Sequence, residues 1–144
     1  KSNTFENDLL QLIFNNVDIA DIGDSSGLQN SATAGSLYVA LHTADPGEAG
    51  TAATSESAYG SYARQAVARS GAGWTVSGNS ATNAALIQFP ECTSGSETIT
   101  HVSITTAVSG ASKILYSGAL SASRSVSSGI QPQFAAAALT VTED

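Results

Sequence analysis

The sequence has 144 residues, enough for one domain that buries roughly two-thirds of the surface its unfolded chain exposes. Its net charge of −7 comes from twelve acidic and five scattered basic residues, which excludes a basic patch for binding nucleic acid. No apolar stretch is long enough to span a membrane and the first residues lack a signal-peptide layout, so neither nucleic acid nor a membrane is an expected partner.

The composition predicts a thin core made largely of small side chains. Hydrophobic residues make up 42 %, many of them alanine, whereas aromatic residues make up only 6 %. Small residues of this kind fit between two packed sheets. The single cysteine, Cys92, has no partner for an internal disulfide and is expected to be a small buried residue.

Residues 4–16 are predicted to form the only good helix. Thr4 is the expected N-cap, and acidic residues lie in the first turn, where the helix dipole favours them. A helix this short is marginal alone, so its apolar stripe should pack on its own sheets or on a neighbouring subunit. The stripe, widened by Leu10, gives the candidate interface residues Phe5, Leu9, Leu12, Ile13 and Phe14.

Residues 17–35 lose the helical period and read as an acidic loop. Asp18, Asp21 and Asp24 suggest calcium binding, but their three-residue spacing misses the alternating pattern of a calcium loop, so a solvated loop is favoured. We predict two regions from this pattern. Residues 1–24, the helix and acidic loop, are a candidate assembly arm, and residues 25–144 are a β-sandwich domain.

The first predicted strand covers residues 37–43, where apolar and other side chains alternate before an Asp-Pro-Gly turn. A loop rich in small residues follows at 44–61. In the next predicted strand, 62–69, Arg64 is expected to pair with Glu56 or Glu48 as a surface ion pair.

The remaining strands are short and separated by glycine or proline turns. They are predicted at residues 74–77, 85–89, 98–106, 113–120, 125–127, 130–134 and 138–142. Together they predict a mainly β fold, a jelly-roll-like β-sandwich of about eight strands with one N-terminal helix. No repeat or heptad pattern occurs.

No residue pattern in the chain predicts catalysis. His42 and His101 both fall on strands and could meet across a sheet, but a zinc site needs further ligands that cannot be identified. Nucleophile and phosphate-binding motifs are missing, and Trp74 is expected to be a core anchor rather than a sugar platform. We therefore predict no catalytic, cofactor-binding or metal-binding residue, no cofactor, and no enzyme activity.

Several segments, in order and spacing, resemble a family of small tailed-bacteriophage virion proteins described as tail fibre or minor structural proteins. The likeness covers nearly the whole chain. The segments are NDLLQLIF (7–14), LYVALHTADP (37–46), YAR (62–64), IQFP (87–90), TITHV (98–102), LYSGAL (115–120) and LTVT (139–142).

This resemblance implies a structural protein of the virion, assembled in the host cytoplasm and released by lysis, whose partners are other capsid or tail proteins and further copies of itself. Because a long fibre needs a repeat or coiled coil, the sequence favours a compact subunit that decorates the capsid or attaches to the tail or a fibre. The alternative is a receptor- or glycan-binding tail-fibre module. Tyr59 and Tyr62 are its only paired aromatic candidates.

Overall fold

The computed structural model describes residues 1–144 and shows a mainly β chain. It is 37 % strand and 9 % helical, with one helix and several antiparallel sheets, which confirms the predicted fold class and is consistent with a β-sandwich carrying one N-terminal helix. The elements are α1 (Asn3–Asn15), β1 (Ser36–His42), β2 (Gln65–Ala68), β3 (Trp74–Ser77), β4 (Ser80–Asn83), β5 (Ile87–Gln88), β6 (Ser96–Thr105), β7 (Ile114–Ser127), β8 (Gln133–Phe134) and β9 (Thr140–Thr142).

The chain divides into two compact units, each built from separate segments. The first unit contains Lys1–Ser36, Val67–Ile87 and Phe134–Asp144, and the second contains Leu37–Ala66 and Gln88–Gln133. The helix is thus grouped with later strands. The predicted division into an assembly arm, 1–24, and a sandwich domain, 25–144, concerns the role of each region rather than its compactness, and it stays a prediction.

In the first unit, α1 packs against strands of a three-stranded antiparallel sheet in the order β3-β4-β9. Phe14 and Trp74 are both fully buried, and their rings meet edge to face with centroids 4.7 Å apart. Leu139 and Val141 are buried at the last strand. These large side chains form the core of the first unit, although the alanine-rich composition predicts a core of small side chains.

Side chains fix both ends of α1. Ser2, not Thr4, is the N-cap, because Ser2 has extended backbone angles and its hydroxyl accepts the Phe5 N–H at 3.3 Å. At the other end Asn16 ends the helix in the left-handed conformation, with φ 58°. The Arg69 guanidinium donates to two carbonyl oxygens of the last helical turn, at 2.7 Å each, which complements the negative end of the helix dipole.

The buried Asn83 side chain joins β4 to the segment before β9. Its amide group donates to the carbonyl oxygens of Ala85 and Ala135, both at 2.8 Å, and its carbonyl oxygen accepts the Leu139 N–H at 2.8 Å. Strand β4 is not predicted from the sequence, because its segment Ser-Ala-Thr-Asn has no large apolar residue. The strand is stabilised by backbone pairing and by this amide rather than by hydrophobic bulk.

The larger sheet has the antiparallel order β2-β1-β6-β7. Strand β1 begins one residue earlier than predicted, and its register with β6 places His42 opposite His101. The two strands predicted at 113–120 and 125–127 are one long strand, β7. Its pairing with β6 is irregular at two places, between Ile99 and His101 and between Ile104 and Thr105.

The Arg64 side chain lies inside the second unit, so the predicted surface position of its ion pair is wrong. Only 5 % of the residue is exposed. Its Nε and Nη2 donate to the two carboxylate oxygens of Glu56, at 2.6 and 2.7 Å. This hydrogen-bonded pairing raises the pKa of the Arg64 guanidinium. The remaining donors reach Ala107 O at 2.9 Å, Gly110 O at 2.7 Å and Ser112 Oγ at 3.0 Å, so one buried cation organises the loop between β6 and β7.

His42 is fully buried and both of its ring nitrogens are engaged. Nδ1 lies 2.9 Å from Thr54 O, and Nε2 lies 2.8 Å from Ser103 Oγ. Although His101 is its cross-strand partner, no group of three or more histidine, cysteine or acidic residues is placed to hold a metal ion. His42 therefore acts here as a polar connector between β1, the following loop and β6.

The stability of the protein is expected to fall as the pH drops below about 6.5, the ordinary pKa of histidine. Burial lowers the pKa of His42, with Glu56, Arg64 and His101 as its charged neighbours. Just below pH 6.5 the unfolded chain therefore binds a proton that the folded protein excludes. The neutral, buried His42 therefore contributes its full stabilisation above pH 6.5. That contribution is lost as the pH falls from 6.5 toward the pKa of His42 in the folded protein, by at most about 1.4 kcal/mol per pH unit.

Urea unfolding of the wild type and of His42→Gln at pH 7.5 and 5.5 measures this effect. We expect the loss of unfolding free energy between the two pH values to be smaller in His42→Gln than in the wild type. An equal loss in both proteins would show that groups other than His42 cause it.

Candidate interaction surface

The predicted apolar stripe of α1 divides into a buried row and an accessible row. Leu10 and Phe14 are fully buried, and Glu6 lies on the same row. One residue along a helix turns the side chain by about 100°, which places the neighbouring row at the rim of the packed face. Of the five predicted interface residues, Phe14 is therefore a core residue and four stay accessible. We call these four the helix surface: Phe5, Leu9, Leu12 and Ile13, of which Phe5 is 38 % exposed.

The acidic loop after α1 is folded and is joined to the helix end. Ile19 and Leu28 exchange two backbone hydrogen bonds of 3.0 and 2.8 Å. The Asn16 side chain donates to Ser31 O at 2.8 Å and accepts the Ser31 N–H at 2.9 Å. Arg69 also donates to Ala34 O at 3.1 Å. The loop thus positions its own side chains next to the C-terminal end of α1.

Two of the three loop aspartates accept hydrogen bonds from the loop itself. Asp18 accepts the Asn30 N–H at 2.6 Å, and Asp24 accepts the Ser26 N–H at 2.7 Å. The Asp24 bond stabilises a local turn, as aspartate commonly does, whereas the Asp18 bond joins residues twelve positions apart in the loop.

Exposed large apolar side chains concentrate in this part of the chain. Seven large hydrophobic residues are exposed in the whole protein, and four of them fall within the first 28 residues. Besides Phe5 they are the loop residues Val17, Ile22 and Leu28. Residues 1–36 also hold five acidic residues against one basic residue, Lys1. Apolar side chains with acidic neighbours suit a partner surface whose apolar centre has a basic rim.

The aromatic residues considered for glycan binding are buried, or in the case of Tyr62 half-buried. Trp74 is fully buried, in agreement with its predicted core role. Tyr59 is 4 % exposed and donates its hydroxyl to Pro90 O at 2.9 Å, and burial raises its pKa to about 12. Tyr62 packs edge to face on Tyr59 with ring centroids 5.4 Å apart, and burial raises its pKa as well. This pair forms no exposed stacking platform.

Comparison with known proteins adds the family. Residues 1–142 match the family described as Podophage GP4 fiber I protein gp80. The chain belongs to this family. No curated protein matches the chain. Membership in the gp80 family identifies a structural protein of the virion that interacts with other virion components, in agreement with the resemblance seen in the sequence. No helix of this gp80-family chain has the length and hydropathy to cross a membrane.

Sequence reasoning missed the loop contribution to this surface. Val17, Ile22 and Leu28 lie among polar residues without a helical or strand period, a pattern that predicts a solvated loop rather than a contact surface. Large aliphatic side chains in an otherwise polar loop were the available signal. It could have indicated a surface that continues beyond the helix, although not which side chains stay exposed.

Proposed function

We propose that this gp80-family protein is a non-enzymatic fibre subunit, used in more than one copy, which attaches to another virion protein through the helix surface and the adjoining loop. The observation that carries the proposal is the concentration of exposed apolar side chains in the first 28 residues. The gp80 family supports a fibre or tail position over capsid decoration.

The energetics suit a docking contact. Full burial of a large apolar side chain contributes roughly 1.5–3 kcal/mol, and the partly exposed residues here would gain a fraction of that each. Several such gains together reach the range of a specific complex once the cost of association is subtracted. The neighbouring acidic residues would favour a partner with a basic rim and would make attachment sensitive to salt.

A non-enzymatic role fits the use that the protein makes of its reactive side chains. Arg64, His42 and Tyr62 are each engaged in hydrogen bonds between strands and loops of the second unit. Their polar atoms are occupied by the fold.

The test is incorporation of a double variant, Phe5→Glu with Val17→Glu, into phage particles. Both residues are exposed, at 38 % and 48 %, so folding should be retained while the apolar contact gains two charges. We expect the number of copies of this protein in purified particles, measured by quantitative mass spectrometry, to fall by about tenfold or more in the double variant.

The matched control is Leu86→Glu with Ile130→Glu, since these residues are 52 % and 46 % exposed and lie outside the first 28 residues. The control should be incorporated like the wild type. Equal incorporation of both double variants would refute the proposed surface. The wild-type copy number, about 6–18 for a tail or fibre position against dozens to hundreds for capsid decoration, tests the location.

A further inference from the structure

The strand β7 forms one edge of the larger sheet. It pairs with β6 on one side, and no strand of the chain pairs with its other side. At 14 residues it is well above the usual strand length, and it contains no proline. The unpaired N–H and C=O groups of such an edge are a template for a further strand.

Side chains of β7 are exposed on both faces of the sheet. Residues 117–119 and 121–125 are all exposed, whereas the paired strand β6 is buried over its last four residues. A strand that covers a core alternates between buried and exposed positions. The exposed part of β7 is therefore held mainly by its backbone pairing with β6, and its serine, glycine and alanine side chains leave room for another chain.

The strand β7 itself brings no negative charge to a contact between copies. The protein carries a net charge of −7, yet residues 98–142 contain no acidic residue. Within β7 the only charged residue is Arg124. Two β7 strands can therefore pair without placing their own acidic side chains opposite one another.

The register of β7 is compatible with a two-fold axis. Residues 116–119 and 124–127 pair regularly with β6, and the irregular residues 120–123 lie between these two segments of equal length. An axis through the middle of 120–123 sets residues 116–119 of one copy opposite residues 124–127 of the other. No other sheet edge in the chain has a comparable length, since β2 and β3 have four residues each and β9 has three.

We propose that β7 pairs in antiparallel fashion with β7 of a second copy of this chain, about a two-fold axis at residues 120–123. A strand edge is self-complementary under such an axis, so the contact closes on itself as a dimer. This inference rests on the proposed function only in that the subunit works in more than one copy.

The proposed register places Ala119 opposite Arg124 of the second copy. Directly opposed residues share a face of the sheet, so Ala119→Lys sets like charges together and Ala119→Glu sets opposite charges together. In sedimentation equilibrium the wild type should be dimeric. Ala119→Lys should weaken the dimer by about tenfold, and Ala119→Glu should leave it as tight or tighter. Ala119→Lys combined with Arg124→Glu should restore it.

Ala136→Lys is the control, because Ala136 is exposed and lies outside β7, and it should dimerise like the wild type. Thermal melting of every variant checks folding, since Ala119 also lies opposite His101 in its own sheet. The inference is refuted if the wild type has the monomer mass of 14.5 kDa up to about 100 µM, or if Ala119→Lys dimerises as tightly as the wild type. Incorporation of the double variant Phe5→Glu with Val17→Glu into particles is a separate measurement, so either proposal can fail alone.

Discussion

Replacing Arg64 by methionine is expected to lower the free energy of unfolding by about 3–5 kcal/mol, because it removes the buried cation of a hydrogen-bonded ion pair whose other partner, Glu56, is only partly exposed. Methionine fills part of the volume but leaves the Glu56 carboxylate without its cation. It also leaves the carbonyl oxygens of Ala107 and Gly110 without their donors. Urea unfolding at pH 7 measures the loss.

Two further variants test the reason for this loss. Adding Glu56→Gln to Arg64→Met removes the orphaned charge and should recover part of the stability. Lys113→Met removes a cation from an exposed position outside β7 and should change the unfolding free energy by less than about 0.5 kcal/mol. If Arg64→Met costs no more than Lys113→Met, the buried network contributes nothing net to stability.

Replacing Phe14 by alanine is expected to cost about 3–5 kcal/mol of unfolding free energy, because it opens a cavity beside the fully buried Trp74. Phe5→Ala, at a residue that is 38 % exposed, should cost less than about 1 kcal/mol. Chemical denaturation followed by the fluorescence of the single tryptophan measures both values at the site of the change.

This pair of variants separates the two roles predicted for the helix. Deleting residues 1–24 would remove Leu10 and Phe14 from the core together with the helix surface, so loss of folding would mask any loss of assembly. Phe14→Ala and Phe5→Ala divide these effects between two positions. A stable Phe14→Ala protein that fails to enter particles would show that Phe14 contacts a partner rather than its own unit.

Elements that depend on neighbouring residues were well predicted from the sequence. The strand at 74–77 coincides with β3, and the strand at 37–43 is displaced from β1 by one residue. The helix is displaced by one residue at each end, since Ser2 rather than Thr4 accepts the first free N–H group. Side-chain alternation, helical spacing and turn residues are local signals, so a single sequence contains them.

Elements that depend on distant partners were missed or divided. Strand β4 forms through pairing on both sides and through Asn83, whose bonds reach residues more than fifty positions away. Strand β7 continues past Leu120 because β6 pairs with it again at Arg124. Neither partner lies within the window of residues that a local pattern uses.

The candidate surface shows the same division. The five interface residues came from one helical stripe, and four of them are accessible. Phe14 is not, because the helix is turned so that the row containing Leu10 and Phe14 faces β3 and β4. Amphipathic spacing predicts that a helix has an apolar side, but its rotation about the axis is set by packing.

The sequence by itself determined that this protein is mainly β with one N-terminal helix, acidic, and a member of a phage virion family, because composition, periodicity and ordered motifs are properties of the chain alone. Only the tertiary structure decided which residues are buried. Arg64 was expected at the surface and lies in the interior, whereas β7 is exposed on both faces. Burial depends on which distant segments pack together. The packing energy that selects this arrangement comes from contacts between those segments, so no single stretch of sequence contains it.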